Sequence, residues 1–113
     1  MNFTVLLFGF ALQNLSLVEY KNHYETSHVP LAKTYAQSSW PLSHTRYYYD
    51  DKTVDNWDSL AVLEFRDADH AISFNTILSQ PDAAHAIHSD EAKFMKGQPQ
   101  MIIIGTNSAV TVP

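Results

Sequence analysis

Two histidines on separate predicted helices are the residues best suited to move protons near neutral pH. His28 lies on the apolar face of one helix, one turn after Tyr24. His88 shares a helix face with Ile87 and Glu91, and the carboxylate one turn away can orient its imidazole. Because imidazole gains and loses protons in the physiological range, His28 and His88 are predicted as general acid and base. Histidines in such positions can also serve only in packing.

Aromatic side chains suited to holding a flat ring accompany these histidines. In the predicted second strand, Trp40 to Asp50, alternation divides the side chains between two faces. One face carries Leu42, His44, Arg46 and Tyr48, and the other carries Ser43, Thr45, Tyr47 and Tyr49. Alternation does not decide which face lines a pocket and which meets a partner. The predicted substrate-binding residues are Tyr24, Trp40, His44, Tyr47, Tyr49 and Phe74.

Metal and nucleotide sites are not expected. The sequence has no cysteine, which excludes disulfides, thiolate nucleophiles and cysteine-bound metals. His85 and His88 lie one helical turn apart with Asp90 nearby, but zinc usually takes three or four ligands with further support. With only three glycines, the chain has no glycine-rich phosphate loop. His23 and His70 are weaker candidates for any role in the site, and the acidic pair Asp90-Glu91 is expected to be solvated.

The elements that must position these residues follow from hydrophobic patterning. Residues 3–10 and 101–104 are apolar in both alternations, which predicts central strands covered on both faces. Ser16 and Glu19 form a capping box that begins a helix, which Pro30 is expected to interrupt. Further elements are a strand over 59–65, a helix capped by Asp67, and a helix begun by Pro81 that places Ala84, Ile87, His88, Glu91, Phe94 and Met95 on one face. The order β-α-β-β-α-β predicts an α+β, ferredoxin-like fold.

Size and charge limit the classes of function. At 113 residues, the chain is predicted to be a single domain spanning 1–113. The net charge is −5 and the basic residues are scattered, so neither nucleic acid nor a membrane is an expected partner. The apolar run at residues 3–12 lacks a positively charged start and is too short to cross a bilayer. A cytoplasmic location is therefore expected.

Several segments in order resemble the EthD family. LSLVEY at 15–20 and YETSHVPL at 24–31 resemble its first-helix signature, a capped helix with an aromatic residue and a His-x-Pro-Leu close. PLSHTRYY at 41–48 is similar to the second strand of fungal members, and WD at 57–58 and DEAKFM at 90–95 also fit. The resemblance implies that two protomers pack sheet against sheet as a homodimer, a dimeric α/β barrel. His28 matches the histidine of that signature.

The resemblance also implies a class of function. Fungal members process aromatic polyketides, which makes a cofactor-independent decarboxylase or dehydratase with histidine acid/base catalysis the expected function. The substrate would be a small aromatic or polyketide molecule. Two alternatives remain open: a cyclase or isomerase on the same fold, and a non-catalytic protein that binds small molecules.

Overall fold

The computed structural model describes residues 2–51, 53 and 56–113, which form an antiparallel sheet with helices packed on one face. The strands are β1 (Phe3–Gly9), β2 (Ser43–Tyr48), β3 (Ser59–Phe65) and β4 (Gln100–Gly105). The helices are α1 (Leu17–His23), α2 (Val29–Ala36), α3 (Ala68–Leu78) and α4 (Pro81–Glu91). The predicted β-α-β-β-α-β order is confirmed, with each helical segment divided in two.

The sheet has the strand order β2-β3-β1-β4, which is the ferredoxin-like arrangement. In the register of β1 with β3, Val5 pairs with Leu63 and Leu6 pairs with Val62. Paired residues share a face and successive residues alternate. Val5 and Leu63 therefore belong to the core beneath the helices, and Leu6 and Val62 lie on the opposite face.

The face of the sheet turned away from the helices is apolar and open in the protomer. Ile102 and Ile104 on the edge strand β4 are 48% and 51% exposed, and Tyr47 on β2 is 55% exposed. Leu6 and Val62 continue this surface across the two central strands. Of the two strands predicted to be covered on both faces, β1 is covered by the protomer's own helices on one face only. The edge strand β4 is exposed on both faces, since Met101 and Ile103 on its helix-facing side are 57% and 63% exposed.

The first helical segment begins as predicted but does not end where predicted. Ser16 Oγ accepts a hydrogen bond from the Glu19 amide, and the Ser16 amide donates to the Glu19 carboxylate. Pro30 does not interrupt the segment, because a π-helical stretch, Tyr24–His28, precedes it. The Val29 amide donates to the Tyr24 carbonyl, five residues back, so the hydrogen-bond pattern shifts before the residue that lacks an N–H. The shift buries both Tyr24 and His28.

Gly9 lies where the side chain of Tyr20, on the first helix, meets the sheet. Tyr20 Oη and Ser59 Oγ are hydrogen-bonded at 2.7 Å, and both residues are buried. A β-carbon at Gly9 would lie 2.6 Å from Ser59 Oγ and even closer to Tyr20 Oη. Only a residue without a side chain fits beside this hydrogen bond.

We expect Gly9→Ala to lower the free energy of unfolding by about 3 kcal/mol, because overpacking and loss of a buried hydrogen bond act together. Urea denaturation at neutral pH measures the change. Gly97→Ala is the matched control, since Gly97 has a φ of +70° but open space around it. That variant should lose only about 1 kcal/mol from backbone strain. Equal losses in the two variants would contradict the close-approach explanation.

Candidate functional site

An apolar cleft opens between α3 and the helix-facing side of the sheet. Its volume is about 380 Å³, which is in the range of small-molecule sites. Strands β1, β3 and β4 form its floor, and α3 forms one wall. The side chains that define it include Phe3, Val5, Leu63, Phe65, Phe74 and Ile103. Asn75 is the one polar side chain among the described residues that line it.

His44 lies directly behind the wall of this cleft. It pairs with Leu63 in the register of β2 with β3, and Leu63 lines the cleft. The His44 ring is 5.2 Å from the Trp40 ring, and the Trp40 ring is 6.1 Å from that of Phe74. Phe74 also lines the cleft. Three of the predicted substrate-binding residues, Trp40, His44 and Phe74, are therefore adjacent, in one aromatic row at the cleft wall.

The two ring nitrogens of His44 are buried, and neither makes a hydrogen bond to any described residue. Burial, reinforced by the nearby positive charge of Arg46, lowers the pKa of His44 to about 4. The imidazole is therefore neutral at physiological pH, with one nitrogen able to donate and the other to accept. Buried polar groups are nearly always hydrogen-bonded, so an unpartnered imidazole beside a cleft marks a functional candidate.

The lowered pKa of His44 predicts acid sensitivity of the fold. A histidine in the unfolded chain has a pKa of ~6.5, whereas the pKa of His44 in the folded protein is about 4. Between these two pH values the unfolded chain is protonated at this position and the folded protein is not. The free energy of unfolding therefore falls as the pH drops through this window, by about 3 kcal/mol in total. Urea denaturation at pH values across the window should show a shallower decline for His44→Leu than for the wild type. Parallel declines would contradict a neutral buried His44.

Glu25, Arg46 and Tyr48 form a hydrogen-bonded cluster beside His44. The Glu25 carboxylate accepts hydrogen bonds from Arg46 Nε at 2.5 Å, from Arg46 Nη2 at 2.9 Å and from the Tyr48 hydroxyl at 2.5 Å. Arg46 Nη1 donates to the His44 carbonyl at 2.8 Å. The hydrogen bonds from Arg46 hold the pKa of Glu25 below its usual value. The cluster joins the π-helical stretch to β2 and fixes the backbone at His44.

His70 fixes the backbone on the other side of the aromatic row. Its Nδ1 accepts a hydrogen bond from the Arg66 amide, so the ring proton is on Nε2. Nε2 lies 3.1 Å from the Ser39 carbonyl and 3.2 Å from the Trp40 carbonyl. The ring is buried, and these contacts give His70 a structural role in holding the turn before β2.

His28 lies in a second cluster, at the contact between the π-helical stretch and α4. Its Nδ1 is 2.9 Å from Asp90 Oδ2, and its Nε2 is 3.6 Å from Glu91 Oε2. His23 Nε2 is 3.0 Å from Asp90 Oδ1, and Ser27 Oγ donates to the same oxygen. Burial opposes the charged form of Asp90, but the hydrogen bonds from His28 and His23 prevail and hold its pKa below the usual value. Both ring nitrogens of His28 thus face carboxylates, and His28 does not line the cleft.

The expectation that Asp90 and Glu91 are solvated is wrong. Both residues are buried, because the inward face of α4 carries Ala83, Ile87, Asp90 and Glu91. His23 and His28 hydrogen-bond to the Asp90 carboxylate, and these contacts allow it to face inward.

His88 lies on the surface of α4, contrary to the predicted inward face shared with Ala84 and Ile87. Its side chain is 47% exposed, and its Nδ1 is 2.8 Å from Glu91 Oε1. The buried stripe runs through Ala83 instead of Ala84, which turns His88 outward. Glu91 orients the imidazole as predicted, but at the protein surface.

Of the six predicted substrate-binding residues, Phe74 alone lines the cleft; Trp40 and His44 lie behind it, and the other three lie elsewhere. Tyr24 is buried beside His28, with ring centroids 5.7 Å apart, in the core cluster around Phe94. Tyr47 lies on the open face of the sheet, and Tyr49 lies beyond the end of β2, 5.7 Å from the Trp57 ring. β2 is shorter than predicted, and its residues His44, Arg46 and Tyr48 face the helices.

Among the described residues, no three side chains of the metal-binding types are grouped so as to hold an ion. Asp90, which would have to join His85 and His88 in a metal site, instead faces inward and contacts His23 and His28. No helix in the described part of the chain is long and apolar enough to cross a membrane. Glu25 was not predicted as a site residue. Two features of the sequence could have indicated it: Glu25 directly follows Tyr24, and β2 carries an Arg-x-Tyr pattern that places a cation and a hydroxyl on one face.

Comparison with known proteins finds solved structures with a similar fold. No family model matches the sequence, and no curated protein matches it. An EthD-like protein from Ralstonia eutropha is 13% identical, with a TM-score of 0.65 over 90% of this chain and 88% of that one. An EthD-family protein from Bacillus halodurans is 14% identical, with a TM-score of 0.59 over 91% of this chain and 96% of that one. A dimeric ferredoxin-like protein of unknown function from Thermobifida fusca is 12% identical, with a TM-score of 0.56 over 94% of this chain and 92% of that one.

Proposed function

We propose that this protein is a cofactor-independent enzyme that removes water or CO2 from a small aromatic, polyketide-like molecule bound in the apolar cleft. The observation that carries the proposal is the neutral, unpartnered imidazole of His44 behind the cleft wall. An apolar cleft holds a flat ring, and one nearby group that exchanges protons completes the minimum equipment for such a reaction.

The protonation state of His44 favours dehydration over decarboxylation. A neutral imidazole takes a proton from the carbon beside a ketone, and the C–H electron pair forms an enolate. The resulting imidazolium then protonates the hydroxyl group on the next carbon, which leaves as water while the enolate electrons form the double bond. One group thus acts first as base and then as acid, and no external electron carrier is needed. Because the pKa of His44 is about 4, the imidazole is a weak base, which makes the first step the slow one, and the imidazolium is a strong acid for the second. In decarboxylation the carboxylate leaves as CO2 and the enolate must then be protonated, which a neutral imidazole does less readily than an imidazolium.

His28 is the competing candidate for the proton carrier. It matches the family motif in the sequence, and Tyr24 lies beside it. To act on a molecule in the cleft, His28 would have to give up its contacts with Asp90 and Glu91. His88, exposed on the far side of Glu91, would require a substrate at the surface of α4. Geometry therefore favours His44 over His28, and His28 over His88.

We also propose that the protein is a homodimer in which the open sheet faces pack together. The exposed isoleucines of β4 and the apolar residues of β1 and β3 supply an apolar surface of the kind that monomers rarely leave uncovered. Two proteins with a similar ferredoxin-like fold are dimeric, which supports a dimer for this chain. The cleft lies on the other side of the sheet, so each protomer would carry a complete site.

A non-catalytic binding function is the second candidate. It is favoured by the lining of the cleft, where Asn75 is the one polar side chain among the described residues. Such a surface would hold an aromatic molecule without acting on it.

Mass spectrometry after incubating the purified protein with aromatic β-hydroxy ketones and β-keto acids tests the proposal. Loss of water supports the dehydratase, and loss of CO2 supports the decarboxylase. A new product of unchanged mass would favour the cyclase or isomerase. Saturable binding with no product would favour the binding protein and contradict the enzyme.

A further inference from the structure

We propose that the cleft continues past the side chains of Phe74 and Trp40 to His44, and that it takes planar aromatic ligands whose inner end carries a neutral hydroxyl group. This inference rests on the cleft assigned under the proposed function, but it does not depend on turnover. It names the class of ligand and a side chain that controls access.

The first support is the position of Phe74. Its ring lines the cleft and is 5.3 Å from the Phe65 ring and 6.1 Å from the Trp40 ring. Phe74 is only half-buried on α3, so part of its side chain already faces solvent. Rotation would remove the aromatic layer between the cleft and the Trp40–His44 pair.

The second support is that the backbone around this layer is held in place. His70 binds the carbonyls of Ser39 and Trp40, and Arg46 binds the carbonyl of His44. Movement of the aromatic side chains would therefore leave the strand and the turn where they are. A ligand would meet an imidazole at a fixed position.

The third support is the charge balance around His44, which selects a neutral group. Arg46 is the cation closest to it along β2, and both of its hydrogen-bonding ends are already committed, to Glu25 and to the His44 carbonyl. His28, the other basic side chain whose charge acts on His44, already faces Asp90 and Glu91. A buried carboxylate on the ligand would therefore gain no uncommitted cation and would bear the cost of its desolvation. A hydroxyl group both donates and accepts, which matches the one donor and one acceptor of neutral His44.

Three probes with the same ring system test the inference: naphthalene, 2-naphthol and 2-naphthoate. Their dissociation constants are measured at pH 7 by equilibrium dialysis against the wild-type protein. We expect 2-naphthol to bind about tenfold more tightly than naphthalene, as one net hydrogen bond allows. We expect 2-naphthoate to bind at least about tenfold more weakly than 2-naphthol. The imidazole resonances of His44 should shift with 2-naphthol.

Two variants, one at each end of the passage from the cleft to His44, test which side chains produce the preference for 2-naphthol. His44→Leu should bind naphthalene as the wild type does and should lose the tenfold preference for 2-naphthol. Phe74→Trp keeps His44 but adds bulk at the passage, and it should lose the preference too. His85→Gln, at an exposed position on α4, is the control that should keep it. Circular dichroism confirms folding, and the Phe74 variant keeps the test decisive should His44→Leu fail to fold.

The inference is overturned if the wild type shows no preference for 2-naphthol, or if either variant, correctly folded, keeps the wild-type preference. It is also overturned if 2-naphthoate binds more tightly than 2-naphthol. A preference that depends on His44 and Phe74 in a protein without turnover would support this inference and contradict the proposed enzyme. Turnover without such a preference would support the proposed enzyme and contradict this inference.

Discussion

Ile102→Asp is expected to convert the protein from a dimer to a monomer. Ile102 lies on the open face of β4 and is 48% exposed in the protomer. Packing of two sheets would bury this side chain in both protomers, because a two-fold interface repeats every contact. The exposed half of each Ile102 contributes about 1 kcal/mol to the interface, so losing both costs about 2 kcal/mol, and burying two carboxylates costs several kcal/mol more. The dimer dissociation constant should therefore rise by at least about a thousandfold.

Light scattering at micromolar concentration measures this change. The wild type should have a mass near twice 12.8 kDa, and the variant a mass near 12.8 kDa. Ile103→Asp is the matched control, since Ile103 is the next residue on the same strand and lines the cleft on the other face. It should remain dimeric and lose affinity for naphthalene. A dimeric Ile102→Asp protein, or a monomeric wild type, would contradict the proposed interface.

His44→Asn is expected to lower kcat by about 10²–10⁴, the usual effect of losing a general acid or base. Asparagine keeps a hydrogen-bonding side chain of similar size but cannot carry a proton between two positions on the substrate. KM should change far less than kcat, because the apolar cleft contributes most of the binding. Steady-state kinetics on the substrate identified by mass spectrometry measure both parameters.

His28→Asn separates the two candidate proton carriers. If His44 carries the proton, His28→Asn should retain most of the wild-type kcat and lose stability, because Asp90 and Glu91 would lose a buried partner. A loss of about 10²–10⁴ in kcat for a folded His28→Asn protein, with little effect of His44→Asn, would instead assign the reaction to His28. His88→Gln extends the same comparison to the surface of α4.

Local signals in the sequence predicted the order of the elements. The capping box at Ser16 and Glu19 and the apolar runs of β1 and β4 depend on neighbouring residues alone, and they formed as expected. The effect of Pro30 was not predictable in the same way. A proline in a helical pattern normally ends the helix, but the π-helical stretch before it moves the hydrogen-bond pattern by one residue.

The candidate site was predicted in part. Aromatic and imidazole side chains at Trp40, His44 and Phe74 were identifiable by type, and the fold brings them together. The burial of Asp90 was not identifiable, because a carboxylate near a helix end is usually solvated and only contacts with distant His23 and His28 favour burial. The orientation of α4 and of β2 likewise depends on tertiary packing, which periodicity cannot specify to within one residue.

Hydrogen exchange tests whether His44 removes a proton from a ligand in the cleft without a cofactor. Protein dialysed against a chelator is incubated in D2O with 2-tetralone, an aromatic ketone with exchangeable protons beside its carbonyl, and their loss is followed by NMR. We expect exchange well above the buffer rate with the wild type and near the buffer rate with His44→Asn. Exchange that requires added metal, or that His44→Asn catalyses as fast as the wild type, would contradict it.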